Sequence, residues 1–134
     1  MHPAPAMDTA PASPTDTTAR EEQALTRAVT KVAEFWAFGN EQLGEILGLS
    51  DSTVSRLRNG RLTLKRGTKS FELAQYLVRL FRSLDALMGS DDAAARSWLA
   101  THNLDLQAAP IRLLGTVHGL VTVCDYVDAF RARI

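Results

Sequence analysis

The chain has 134 residues, 46% of them hydrophobic, enough to bury one sizeable core, and its single cysteine excludes an internal disulfide. Fifteen basic and fifteen acidic residues cancel to a formal net charge of zero, so the totals give no hint of a nucleic-acid partner. The N-terminus lacks the basic start and apolar run of a secretory signal, and no stretch approaches a membrane span. Together with the lone cysteine, this leads us to expect a soluble cytoplasmic protein with no membrane partner.

The distribution of charge is more informative than its sum. Arg56, Arg58, Arg61, Lys65, Arg66, Lys69, Arg79 and Arg82 supply eight of the fifteen positive charges, and Glu72 is the only acid among them. Such asymmetry bears on partners rather than on fold.

In chain order, residues 1–18 (MHPAPAMDTAPASPTDTT) hold four of the five prolines among small polar residues. That composition cannot offset its ordering entropy, so a disordered leader is expected. From residue 20 the pattern is helical, with Leu25, Val29, Val32, Ala33, Trp36 and Ala37 at 3–4 residue spacing and Gly39–Asn40 as the stop. Short helices are predicted over 41–47 and 51–58, and the glycine-bounded basic stretch 60–67 is predicted as a loop. A long amphipathic helix over 69–88 is closed by Gly89. Ser90 is the expected N-cap of the next helix, with Asp91 and Asp92 in its first turn. After a loop at 101–109, Pro110 opens a short helix through Leu114. A last helix over 117–131 carries the stripe Val117, Leu120, Val121, Cys124, Val127 and Phe130. No alternating pattern of useful length appears, so the fold class is all-α.

Residues 40–60 read as helix, turn, helix. Leu43, Ile46 and Leu47 form an inner face, Gly44 is small where a second helix crosses, and Gly48 sits at the reversal. Leu49 plugs the corner, Ser50 or Asp51 caps the second helix, and Val54 and Leu57 complete its buried edge. These offsets are those of a DNA-binding helix-turn-helix. With Val54 and Leu57 inward, Ser52, Ser55, Arg56 and Asn59 point outward and Thr53 and Arg58 lie on the shoulders. Arginine bonds guanine bidentately, asparagine does the same to adenine, and hydroxyls reach phosphates or base edges. Arg61, Lys65 and Arg66 follow, suited to the DNA backbone. The competing reading is an ordinary solvated helix face. The three-helix layout resembles the helix-turn-helix of Xre-type repressors.

Nothing in the second half builds an enzyme. His2, His102 and His118 are scattered, and no metal cluster or phosphate-cradling glycine loop is present, so no cofactor is expected. Cys124 lies within an apolar stripe and reads as core. Trp98-Leu99, Asn103, Pro110, Leu113-Leu114, Thr116 and Gly119 resemble, in order and spacing, the toxin-binding domain of the Xre/MbcA/ParS-type antitoxins. The likeness covers residues 40–134. His102 stands where that family carries proline before the asparagine, and QAAP stands where glycines are common.

The resemblance implies an antitoxin paired with a RES-domain toxin, an NAD-degrading enzyme similar to ADP-ribosyl transferases. It implies that the C-terminal region occludes the toxin's active site while a homodimer binds operator DNA and represses the operon. On this chain the blocking element would be 126–134, with Tyr126, Phe130, Arg131, Arg133 and Ile134 as toxin-binding residues. Arg131, Arg133 and the terminal carboxylate would enter a pocket that otherwise holds a nicotinamide nucleotide. Read from the residues alone, Arg131 and Arg133 equally complement the helix C-terminus, with Asp128 spaced for a surface pair with Arg131. The expected division is a leader (1–18), a helix-turn-helix region (19–67), a connecting helix (68–89) and a toxin-binding domain (90–134). Two alternatives stay open: a stand-alone repressor whose C-terminal helices only dimerise, and an antitoxin whose helix-turn-helix no longer touches DNA.

Overall fold

The computed structural model describes residues 13–133. Its spine is α4 (Lys69–Leu87), where Phe71, Ala74, Leu77, Val78, Leu80 and Leu84 recur at helical spacing and are all buried. Thr68 starts this helix, its hydroxyl accepting the N–H of Phe71 at 3.2 Å. Against α4 pack α1 (Pro14–Phe35), α2 (Asn40–Leu47), α5 (Asp92–Ala100) and α7 (Val117–Ala132), while α3 (Asp51–Arg58) packs on α1 and α2 and α6 (Pro110–Leu113) bridges α5 and α7. The buried side chains from Val29 to Val127 form one continuous cluster through α4. The segment read as a connecting helix is therefore the shared centre of both halves. Among the described residues there is no strand, and the one isolated bridge pairs Asn103 with Ala108. No helix among the described residues is long and apolar enough to cross a membrane.

The ends of α1 differ from expectation. Ser13 caps it by accepting the N–H of Asp16 at 3.1 Å and Pro14 occupies the first turn, so residues 14–18, assigned above to a leader, are helical. Residues 1–12 lie outside the described part, His2 among them. At the other end the chain reverses at Ala37, at φ 58°, two residues before Gly39. The N–H of Phe38 bonds Ala33 O at 2.8 Å and that of Ala37 bonds Glu34 O at 3.2 Å, a Schellman closure. A left-handed alanine costs about 1–2 kcal/mol. The closure offsets this by burying both Trp36 and Phe38, at 3% and 4% exposure.

The cap of α5 is also shifted. Ser90 adopts φ 62° and closes α4 by donating its N–H to Asp85 O at 2.9 Å. Asp91 is the N-cap instead, its carboxylate accepting the N–H of Ala94 at 3.0 Å. Between α6 and α7, Thr116 caps α7 through the N–H of Gly119 at 3.0 Å. A β-carbon on Gly119 would collide with the backbone carbonyl of Leu113.

A polar clamp joins α4 to α7. Arg79 Nε donates to Asp128 Oδ2 at 2.9 Å, Ser83 Oγ donates to Asp128 Oδ1 at 2.6 Å, and Arg131 Nη1 reaches Ser83 Oγ at 3.4 Å. The expected local pair of Asp128 with Arg131 gives way to this cross-helix arrangement, because Asp128 faces α4 and meets two donors there, Arg79 and Ser83. Burial pushes the Asp128 carboxyl up, but the bonds from Ser83 and Arg79 outweigh it and hold the group below the ordinary carboxylate range.

Two outcomes follow for stability. Gly119→Ala should lower stability by about 1–3 kcal/mol in urea denaturation, although alanine is the better helix former by about 1 kcal/mol. Asp128→Asn should cost about 1–2 kcal/mol at neutral pH, the clamp being partly solvated. Since the folded-state value is depressed, the wild-type advantage is complete at neutral pH. It should shrink as pH falls below about 4. Thermal melts of both proteins across an acid titration would measure it.

Candidate functional site

The turn between α2 and α3 is set by three residues. Gly48 takes φ 70° at the end of α2, and the N–H of Leu49 bonds Gly44 O at 2.9 Å. A β-carbon on Gly44 would lie 2.5 Å from Leu49 O and 3.4 Å from Val54 Cγ2, so the crossing of α2 and α3 tolerates no side chain there. Ser50 caps α3, accepting the N–H of Thr53 at 3.3 Å, and Val54 and Leu57 are buried beneath it.

The face left outside α3 exposes Ser52, Arg56 and Asn59, with Ser55 half-buried beside them. Arg61 is exposed just beyond, where its N–H bonds Arg56 O at 2.8 Å. Among the described residues the side chains of Arg56, Asn59 and Arg61 have no internal hydrogen bond or ion pair, and all are available to an outside partner. Thr53 is different, because its hydroxyl lies 2.8 Å from that of Ser50 and belongs to the helix cap. Arg58 has an internal role as well. Its guanidinium donates to Phe38 O at 2.7 Å and to Asn40 Oδ1 at 3.3 Å, bolting α3 to the turn before α2. No local pattern connects positions so far apart in sequence, so this bond carries no sequence signal.

The basic loop 60–67 is held by α1. Thr26 Oγ1 accepts the N–H of the buried Leu64 at 2.9 Å, and Glu22 accepts the N–H of Arg66 at 2.8 Å. Lys65 Nζ lies 3.7 Å from Glu22, and the Arg66 guanidinium pairs with Glu21. Both cations, read from sequence as free to hold a DNA backbone, are thus partly neutralised by α1. They nonetheless stay 68% and 49% exposed. Glu21, Glu22 and Thr26 carried no sequence signal for this role, since their partners lie about forty residues away.

On the opposite half, the end of α7 carries Tyr126, Phe130, Arg131 and Arg133. Tyr126 OH donates to Asp105 Oδ2 at 2.7 Å, which raises the phenol above its ordinary range. Its ring stacks on Trp98 at 6.4 Å and meets the edge of Phe130 at 4.9 Å. Arg133 lies over the Phe130 ring at 5.3 Å. Ile134, and with it the terminal carboxylate, lies outside the described residues. Asn103 organises the adjacent turn, its side-chain oxygen accepting the N–H groups of Asp105 at 2.9 Å and Leu106 at 3.0 Å.

The groups that carry covalent chemistry in other proteins are dispersed. His102 and His118 are exposed and far from one another in sequence, and no group of three His, Cys, Asp or Glu among the described residues is arranged to hold a metal. Burial pushes the Cys124 thiol up to about 11, and the thiol lies 3.4 Å from Tyr76 O. It is therefore protonated at neutral pH and poorly nucleophilic.

Comparison with known proteins agrees with this two-sided arrangement. The antitoxin Xre-like helix-turn-helix domain matches residues 17–79, and the antitoxin Xre/MbcA/ParS C-terminal toxin-binding domain matches residues 83–133. A search of curated proteins found no matching relative. The two matched spans meet within α4, each holding one of the two surfaces just described. The chain belongs to the Xre/MbcA/ParS-type antitoxins, with an Xre-like helix-turn-helix domain in front and a toxin-binding domain behind.

Proposed function

We propose that this antitoxin neutralises a RES-domain, NAD-degrading toxin in the cytoplasm and, as a homodimer, represses its own operon. The observation that carries the reading is the separation of two exposed, chemically distinct surfaces on one core. The stripe of Ser52, Arg56 and Asn59 suits the major groove, and the end of α7 presents Phe130, Arg131 and Arg133 to another protein. In the complex, 126–134 caps the toxin's cleft. Arg131, Arg133 and the terminal carboxylate occupy the pocket that otherwise holds a nicotinamide nucleotide. The chain acts by occupying the site and needs no catalytic group or cofactor of its own. In the DNA complex Arg56 and Asn59 read bases, Ser52 and Ser55 reach bases or phosphates, and Arg61, Lys65 and Arg66 hold the backbone. Thr53 and Arg58 shape α3 from within. A dimer would then read half-sites about one helical turn apart, or a multiple of it.

Removal of residues 131–134 should leave the thermal midpoint within a few degrees of wild type while cells co-expressing the RES-domain protein lose their NAD. Undiminished protection by the truncated chain would exclude the capping mechanism. On the DNA side, Arg56→Ala should weaken operator binding by about 1–3 kcal/mol at unchanged stability. Arg58→Ala should instead lower stability by about 1–2 kcal/mol, since it frees two partly buried acceptors. Operator affinity that stays constant between low and high salt would identify a helix-turn-helix that no longer touches DNA.

A further inference from the structure

Beside the end of α7 lies an apolar cleft of about 190 Å³, walled by Leu87, Met88, Trp98, Tyr126 and Phe130 with Leu84 at its floor. It is too small for a nucleotide or other cofactor-sized ligand, which needs roughly 300 Å³ or more. Its size suits one inserted side chain. Its walls are preset: the Tyr126 ring is locked between Trp98 and Phe130 and tethered through its hydroxyl to Asp105. Rigid aromatic walls lose little entropy on binding, and Met88 adapts to whatever shape enters. Phe130 remains 39% exposed although burying it would be favourable.

The turn fastened to Tyr126 strengthens the case. Asn103 holds it from both sides, accepting from Asp105 and Leu106 through its side chain and from Gln107 through its carbonyl at 2.7 Å, while bridging to Ala108. The product is a stiff projection bearing Leu104 at 86% exposure. A single exposed leucine is unremarkable on its own. A rigidly presented one next to an aromatic cleft has the anatomy of an interface centre, with apolar anchors inside and a cation at the rim, here Arg133. The cleft and Leu104 both fall within the span matched by the toxin-binding domain.

We propose that this cleft is the anchoring site for the toxin. One protruding aliphatic or aromatic side chain of the toxin fills it, and Leu104 packs onto the toxin surface alongside. The inference rests on the toxin-binding reading of this region and adds a division of labour to it. The cleft supplies affinity and residues 131–134 supply inhibition.

The test uses the full chain and the RES-domain protein proposed as its partner, with affinity measured by calorimetry and toxin activity by NAD consumption. Phe130→Glu should weaken binding about 30-fold or more and Leu104→Asp about 10-fold, each with a thermal midpoint close to wild type. Deletion of 131–134 should change affinity less than either substitution yet release NAD consumption at saturating antitoxin. Wild-type affinity in both substituted chains overturns the anchoring site and leaves the RES pairing intact. Altered self-association of the substituted chains by light scattering, at unchanged toxin affinity, also overturns it, identifying the cleft as a seam between copies. If the wild-type chain fails to bind the RES-domain protein, the pairing falls. The same variants against the toxin then recovered with the tagged chain decide the cleft separately.

Discussion

The burial of α4 along nearly its whole length is the constraint on which both surfaces depend. It packs against α1 and α7, whose contacts reach Phe81 and Tyr76 respectively, and against α2 and α5, within one continuous core. Neither half has enough apolar surface to stand apart from this helix, in keeping with how little core a segment of fifty or sixty residues encloses. A strained α4 would therefore disturb the helix-turn-helix and the toxin-facing end together. The clamp of Arg79, Ser83, Asp128 and Arg131 adds direction to that burial. Apolar contact alone allows α7 to slide or rotate on α4, whereas a carboxylate held by two donors has one good register.

The residues that make the toxin-binding domain recognisable are mostly those that build it. Pro110 starts α6, Thr116 caps α7, Gly119 lets the backbone of Leu113 approach, and Asn103 shapes the turn before them. Leu99 and Leu114 are core. Trp98 alone of this set reaches the surface cleft. The motif is thus chiefly a recipe for a rigid frame, while the surface it presents is written in less regular residues such as Leu104, Tyr126 and Phe130. A partner-specific surface on a shared scaffold is what discrimination between toxins requires, because specificity is a difference in contacts and not in fold.

The zero net charge also acquires a structural meaning. Glu21 and Glu22 neutralise part of the loop 60–67, while Arg56 and Arg61 have no internal partner among the described residues. Positive potential is thereby concentrated at α3. A chain that is neutral as a whole presents a locally cationic edge, and the acids that balance it also order the loop.

The helices, the turn chemistry of Gly44 and Gly48, and the inward edge of Val54 and Leu57 were legible in the sequence because each is a local matter of spacing and dihedral preference. So was membership of the antitoxin family, carried by Trp98-Leu99 and by the run from Pro110 to Gly119. Cap positions were legible only to within a residue or two: the reversal at Ala37 and the cap at Asp91 depend on which neighbours can be buried. The tertiary structure alone decided that Arg58 serves the fold, that α1 holds the basic loop, that Asp128 bonds across to α4, and that Trp98, Tyr126 and Phe130 enclose a cleft. Each of these joins residues from roughly twenty to nearly fifty positions apart. Helical periodicity encodes which face a residue occupies, but the partner waiting on that face is chosen only when the helices pack.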